Sequence, residues 1–153
     1  MTIESEPQGF GRFEGSVHIL PIRIYYEDTD LSGVVYHANY LRYMERGRSE
    51  FFRCAGIVRL AMMDGGEAKA WTLRRAALKF LKPARVDDLI EVHTRATSLG
   101  GACMTADQKI FRTGELLTHG DVEACIITLA GKPQRIPDDI RRKLQPLLCT
   151  TTG

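Results

Sequence analysis

Tyr25-Tyr26-Glu27-Asp28-Thr29-Asp30-Leu31-Ser32-Gly33-Val34-Val35-Tyr36-His37-Ala38-Asn39-Tyr40 passes from an aromatic, extended segment through two acids and a Ser-Gly turn into a helical pattern. Upstream, Val17 to Tyr26 is rich in β-branched and aromatic residues and reads as a strand. Downstream, Tyr40, Met44, Gly47, Phe51 and Cys54 recur at helical spacing, Leu41 and Phe52 widen the stripe, and Gly56 is placed to stop it. Gly47 weakens such a helix relative to alanine, so its place on the buried stripe predicts a close approach by another element. A strand, a loop bearing Asp28 and Asp30, and a helix starting near Tyr36 to Asn39 therefore follow one another directly.

Beyond the helix the period changes. Trp71 to Leu81 reads as a strand ended by Lys82-Pro83. From Asp88 to Leu99 the residues Ile90, Val92, Thr94 and Ala96 alternate with Glu91, His93 and Arg95. Met104 to Arg112 is a further strand, Thr113-Gly114-Glu115 a tight reversal, and Leu116 to Leu129 a strand long enough to bend or bulge before Gly131 and Pro133. Ile57 to Met63 reads as a short second helix, and Pro137 to Leu147 as a C-terminal one with Asp138 and Asp139 in its first turn. The pattern predicts an α+β chain: a loose tail over residues 1–15, one domain over 16–148 and a short tail over 149–153. One helix covers only part of such a sheet, so pairing with a second copy is expected to bury the rest.

The 153 residues are 44% hydrophobic and 26% charged, enough for one domain with its own core. A net charge of +2 is too small to imply a nucleic-acid surface. No apolar run is long enough to span a bilayer and no basic, apolar leader opens the chain, which points to the cytoplasm. Cys54, Cys103, Cys125 and Cys149 form no C-x-x-C pair and no spacing with histidine that suits a metal, so they read as inert thiols of a reducing compartment.

A carboxylate just before a helix N-terminus, where backbone N–H groups lack partners, suits attack on an acyl carbonyl. Asp30 holds that position, with turn formation as its alternative role, and Asp28 is expected to be structural. His37 can act through its backbone N–H, through its ring, or only by packing. Glu45 is a rival carboxylate, but Arg46, Arg48 and Glu50 around it suggest a charged helix face.

Tyr26-Glu27-Asp28-Thr29-Asp30, Gly33-Val34-Val35-Tyr36-His37-Ala38-Asn39-Tyr40 and Met44-Glu45-Arg46-Gly47-Arg48 resemble the hotdog-fold acyl-CoA thioesterases of the 4-hydroxybenzoyl-CoA thioesterase class, nearest to those associated with the Tol-Pal cell-envelope system. The resemblance runs on through Leu73-Arg74-Arg75, the stretch from Phe80 to Asp88, and Lys132-Pro133. It implies a long central helix wrapped by a curved antiparallel sheet, dimers that share a continuous sheet, often paired into a homotetramer, and active sites at the dimer interface. It also implies Asp30 as catalytic carboxylate, the His37 backbone N–H as the carbonyl's donor, and Tyr26 as the motif tyrosine. Acyl-CoA is then the substrate, with no metal or redox cofactor. The alternatives are a holder of acyl-CoA or acyl carrier protein in an envelope complex, or a dehydratase of the same fold, which needs a different His/Asp arrangement.

Arg74, Arg75, Arg85, Lys132 and Arg135 are candidates for the phosphates of coenzyme A; strand alternation puts Arg74 and Arg75 on opposite faces. Phe51, Phe52, Met62 and Met63 are candidates for an acyl pocket, with core packing as the alternative. Leu31-Ser32 and Gly47 depart from the family pattern, and neither departure is expected to touch the chemistry, though Leu31 could reshape the acyl entrance.

Overall fold

A computed structural model describes residues 9–57 and 68–149. The strands are β1 (Arg12–Glu14), β2 (Val17–Arg23), β3 (Lys69–Phe80), β4 (Leu89–Leu99), β5 (Cys103–Arg112) and β6 (Glu115–Thr128), and the helices are α1 (Asn39–Cys54) and α2 (Asp138–Leu144). The strands form one antiparallel sheet in the order β1-β2-β4-β5-β6-β3.

The alternation of β4 sets the inside of this sheet. Ile90, Val92, Thr94 and Ala96 are buried, and α1 packs against β4 and β2. One core cluster joins Tyr40, Tyr43 and Met44 of α1 to Leu20, Ile22, Ile90, Val92, Ile110 and Leu117. A second joins Phe51 and Ile57 to Ala96, Met104, Ile126 and the C-terminal residues Ile136, Ile140 and Leu144. Phe51 is thus core, and Phe52 stacks on Trp71 with ring centroids 5.2 Å apart. This is the α+β hotdog arrangement that the resemblance implies, and no helix among the described residues is long and apolar enough to cross a membrane.

Gly56, at φ +77, turns the chain out of α1 where the sequence predicts a stop. The expected helix from Ile57 to Met63 falls almost wholly outside the described residues, as do Met62 and Met63.

Three features differ from the sequence reading. The expected N-terminal tail contributes β1, because Phe13 packs edge-on against His18 and Phe51 at 5.3 and 5.2 Å. Phe10 N–H also donates to Glu50 at 2.7 Å, which ties the segment to α1.

Second, Cys103 and Cys125 are joined in a disulfide. They are direct partners across β5 and β6, with Cα atoms 4.0 Å apart. A register that pairs residues 22 apart leaves no mark in cysteine spacing.

Third, the β3–β6 register shifts between Leu73 and Arg75, so Arg74 is an extra residue in β3. Arg74 pairs with Glu123 and Arg75 with Asp121, each at 3.5 Å. Those two acids alternate with the buried Val122 along β6, so the bulge brings both arginines to the sheet face away from α1, not to opposite faces.

Candidate active site

The chain leaves β2 at Arg23 and makes a single 3-10 turn, Tyr26–Asp28. Asp28 holds the next segment together. Its carboxylate accepts from Tyr25 N–H at 2.8 Å and from the Asn39 side chain at 3.0 Å. Its carbonyl accepts from Tyr36 N–H at 2.9 Å. Asp28 thus pins the start of α1 to the loop before it.

Above that neck Thr29 bridges to Val35, and Asp30 N–H donates to the Val34 carbonyl at 3.0 Å. The Asp30 carbonyl in turn accepts from Gly33 N–H at 3.1 Å. Asp30 therefore stands at the base of a tight turn whose tip carries the fully exposed Leu31. The Asp30 carboxylate accepts from the hydroxyl and from the backbone N–H of Ser32, the latter at 2.8 Å. These two bonds, and more weakly the His37 charge, hold its carboxyl below the usual carboxylate range. Ser32, expected to be remote from the chemistry, is bonded to the candidate carboxylate. The sequence offers only Asp-x-Ser as a signal, and that also reads as plain turn chemistry.

His37 lies just ahead of α1. Asn39 N–H already turns back to the Tyr36 carbonyl at 2.9 Å, whereas the His37 and Ala38 N–H groups have no acceptor among the described residues. They are the unpaired donors of a helix N-terminus, at its positive end. A third segment closes the site. Val35 N–H donates to the Ala84 carbonyl at 2.9 Å, Val34 bridges to Arg85, and Ala84 N–H donates to the Tyr40 hydroxyl at 3.0 Å.

Between these segments opens a cavity of about 220 Å³ lined by Val35, His37, Tyr40, Phe80, Leu81, Lys82 and Pro83. The Phe80 ring lies 6.4 Å from His37 and 5.4 Å from Tyr40. Tyr40 and Phe80 line this cavity, and in the sequence each also fits a core pattern. A larger cavity, about 540 Å³, lies between β2 and α1; it shares Tyr25, Glu27 and Asp28 with the segment that leads to the site but neither Asp30 nor His37.

Tyr26 is 85% exposed, and its carbonyl accepts from the N–H and hydroxyl of Thr29 at 3.1 and 2.7 Å. Glu45 lies on the exposed face of α1 and accepts from Ser49 at 2.9 Å. Arg85 is beside the site through its bridge to Val34. Arg74 and Arg75 are on the sheet's other face. Lys132 and Arg135 follow β6, whose end at Thr128 pairs with Lys69 at the start of β3. They therefore lie at the other end of β3 from Phe80, about 35 Å along the strand. Among the described residues, Cys103, Glu123 and Cys125 are a trio of donors close enough to share a cation, but the two sulfurs are bonded to each other.

The thioesterase superfamily model matches residues 32–118. The acyl-CoA thioester hydrolase YbgC of Escherichia coli O6:H1 is 38% identical over 122 residues, spanning 78% of this chain and 90% of the relative. The acyl-CoA thioesterase YbgC of Haemophilus influenzae is 33% identical over 122 residues, spanning 79% and 89%. The crystal structure of a probable thioesterase from Bartonella henselae superimposes with a TM-score of 0.76 at 41% identity, covering 79% of this chain and 99% of that one. With the family's pattern spanning more than half of its length, and with relatives alike over nearly their whole chains, this chain belongs to the thioesterase superfamily.

Proposed function

We propose that this hydrolase cleaves acyl-CoA thioesters to a free acid and coenzyme A, with Asp30 as the reacting carboxylate and the His37 backbone N–H as the donor to the carbonyl oxygen. The observation that carries the reading is an exposed carboxylate, held ionised, one short turn from unclaimed N–H groups at the α1 N-terminus and beside an open cavity. The carbonyl oxygen gains negative charge as the carbon becomes tetrahedral, and a fixed N–H dipole meets that charge with no reorganisation.

Two routes share this geometry. In one, an Asp30 oxygen bonds to the acyl carbon, the C–S bond breaks, the thiolate leaves, and water then hydrolyses the mixed anhydride. In the other, Asp30 takes a proton from water as the water oxygen bonds to the same carbon, and collapse of the tetrahedral adduct breaks the C–S bond, expelling the thiolate and leaving the free acid. Both require Asp30 ionised, which its two bonds to Ser32 favour. Thiolate is a good leaving group, so neither route needs a strong general acid. The role of the His37 ring stays open between the routes, and neither calls for a metal or redox cofactor. Acyl carrier protein is the alternative donor of the same thioester.

The reading extends to assembly. β3 is an edge strand of 12 residues, and Leu73 and Phe80 on it are exposed. Antiparallel pairing of β3 with a second copy sets Lys69 of one chain beside Phe80 of the other. Lys132 and Arg135 then approach the partner's cavity and join Arg85 as phosphate contacts. Arg74 and Arg75 fall near the two-fold axis.

The test is thiol release from an acyl-CoA and acyl carrier protein panel by the parent, Asp30→Asn and His37→Ala. Asp30→Asn is expected to lose several orders of magnitude in kcat with the fold intact. His37→Ala is expected to lose about tenfold to a hundredfold, because its backbone N–H survives. Equal losses would give the chemistry to the imidazole ring. Tight binding without thiol release by the parent would mark a holder instead of a hydrolase.

A further inference from the structure

Both hydrogen bonds that Asp30 accepts from Ser32 converge on one oxygen, Oδ1. Oδ2 accepts none from the described residues. The backbone already fixes the turn, through Asp30 N–H to the Val34 carbonyl and Gly33 N–H to the Asp30 carbonyl. The Ser32 backbone N–H completes an Asx turn of a kind that any residue at this position could provide. The Ser32 hydroxyl is therefore surplus to the turn. It donates to the carboxylate from an exposed side chain that could as well have bonded to water.

We propose that Ser32 is a positioning residue for the hydrolysis: its hydroxyl and N–H engage Oδ1, fix the carboxylate plane, and leave Oδ2 as the oxygen that attacks carbon or takes a proton from water. The inference rests on the reading of Asp30 as the reacting group.

The physical reason is that a carboxylate on an exposed loop samples several rotamers, and only some aim an oxygen at a bound acyl carbon. Hydrogen bonds to an ionised acceptor are among the stronger ones, and two on the same oxygen penalise rotation of the carboxylate about either torsion. The unengaged Oδ2 keeps its lone pairs and more of its basicity. The same two bonds stabilise the anion, consistent with the lowered pKa of Asp30. Ser32 thus trades some basicity for orientation.

The experiment uses the full chain as Ser32→Ala and Ser32→Thr, with two readouts. One is the Asp30 pKa from the ¹³C shift of its carboxyl carbon. The other is the pH profile of kcat/KM on an acyl-CoA. Removing a donor to the charged form raises the pKa, so Ser32→Ala should move the Asp30 titration up by about half to one unit. The acid limb of the profile should move by the same amount, and plateau kcat should fall about three- to tenfold with KM little changed. Ser32→Thr, which keeps the hydroxyl, should restore both. Titration and limb that coincide with the parent's in Ser32→Ala would overturn the inference. If instead the titration moved while the limb stayed, and Asp30→Asn remained active, the assignment of Asp30 as the reacting group would fall, and this role for Ser32 with it.

Discussion

A Cβ added at Gly47 would stand 2.7 Å from Val92 Cγ1, 2.9 Å from Thr94 Oγ1 and 3.1 Å from Gln108 Nε2. Gln108 cannot yield easily. Fully buried, it donates to the Met44 carbonyl and to Thr94 Oγ1, both at 2.9 Å, and accepts from Arg48 at 2.9 Å. Alanine would gain up to about 1 kcal/mol in helix propensity, against about 1–3 kcal/mol for overpacking a filled site. Gly47→Ala should therefore lower stability, by about 1–2 kcal/mol on the larger side of that balance, read as an earlier denaturant midpoint with an unchanged slope. A midpoint at or above the parent's would mean that α1 can lift off β4 at little cost. The close approach at Gly47 was legible because a glycine on an apolar stripe weakens its helix, and a neighbour too near for a Cβ offsets that loss. Ser32 was not, because its donation to Asp30 depends on a rotamer, and Asp-x-Ser describes a turn whether or not the hydroxyl reaches back.

Elements were legible in proportion to their periodicity. β4 alternates cleanly and its buried residues are those the sequence predicts. β1 is three residues in a Gly- and Glu-rich stretch, and what holds it is tertiary: Phe13 on Phe51, and the Phe10 carbonyl 3.0 Å from His18 Nε2. The bulge at Arg74 was hidden because alternation assumes an unbroken register.

His18 of β2 carries a consequence for pH. It is fully buried, and its Nδ1 has no hydrogen-bond partner among the described residues. Burial pushes its pKa below the usual value, opposed by the Phe10 carbonyl and by the Glu50 charge. A histidine lowered in the folded state binds its proton more readily when unfolded. Its contribution is therefore full above the unfolded value, about 6.5, and is lost as pH falls below it. Denaturation at pH 7.5 and pH 5.5 should show the parent weakening toward acid, and His18→Phe should flatten that part of the difference. A slope unchanged in His18→Phe would assign the acid weakening to other groups.

At the scale of the whole molecule, the sheet has two unlike edges. On one side β1 pairs only with Val17 to Ile19, and the stretch of β2 beyond it contains Pro21, which has no N–H to offer. On the other side the outer edge of β3 has no neighbouring strand along its length among the described residues. We expect sedimentation to show dimers or tetramers, with activity falling as they dissociate. We also expect two impaired chains, Asp30→Asn and one with Lys132 and Arg135 both changed to alanine, to regain part of the activity when mixed, because one interface then carries both intact halves. A fully active monomer would end this part of the reading. The expectation of a second copy comes from a lone helix on a large sheet; that β3 lies at the edge depends on strand order, which the sequence does not carry. The asymmetry of the edges also sets where growth stops. A sheet open at both sides could keep adding copies into a filament, whereas two copies joined through β3 would turn only the shielded β1–β2 margins outward and stop growing at both ends.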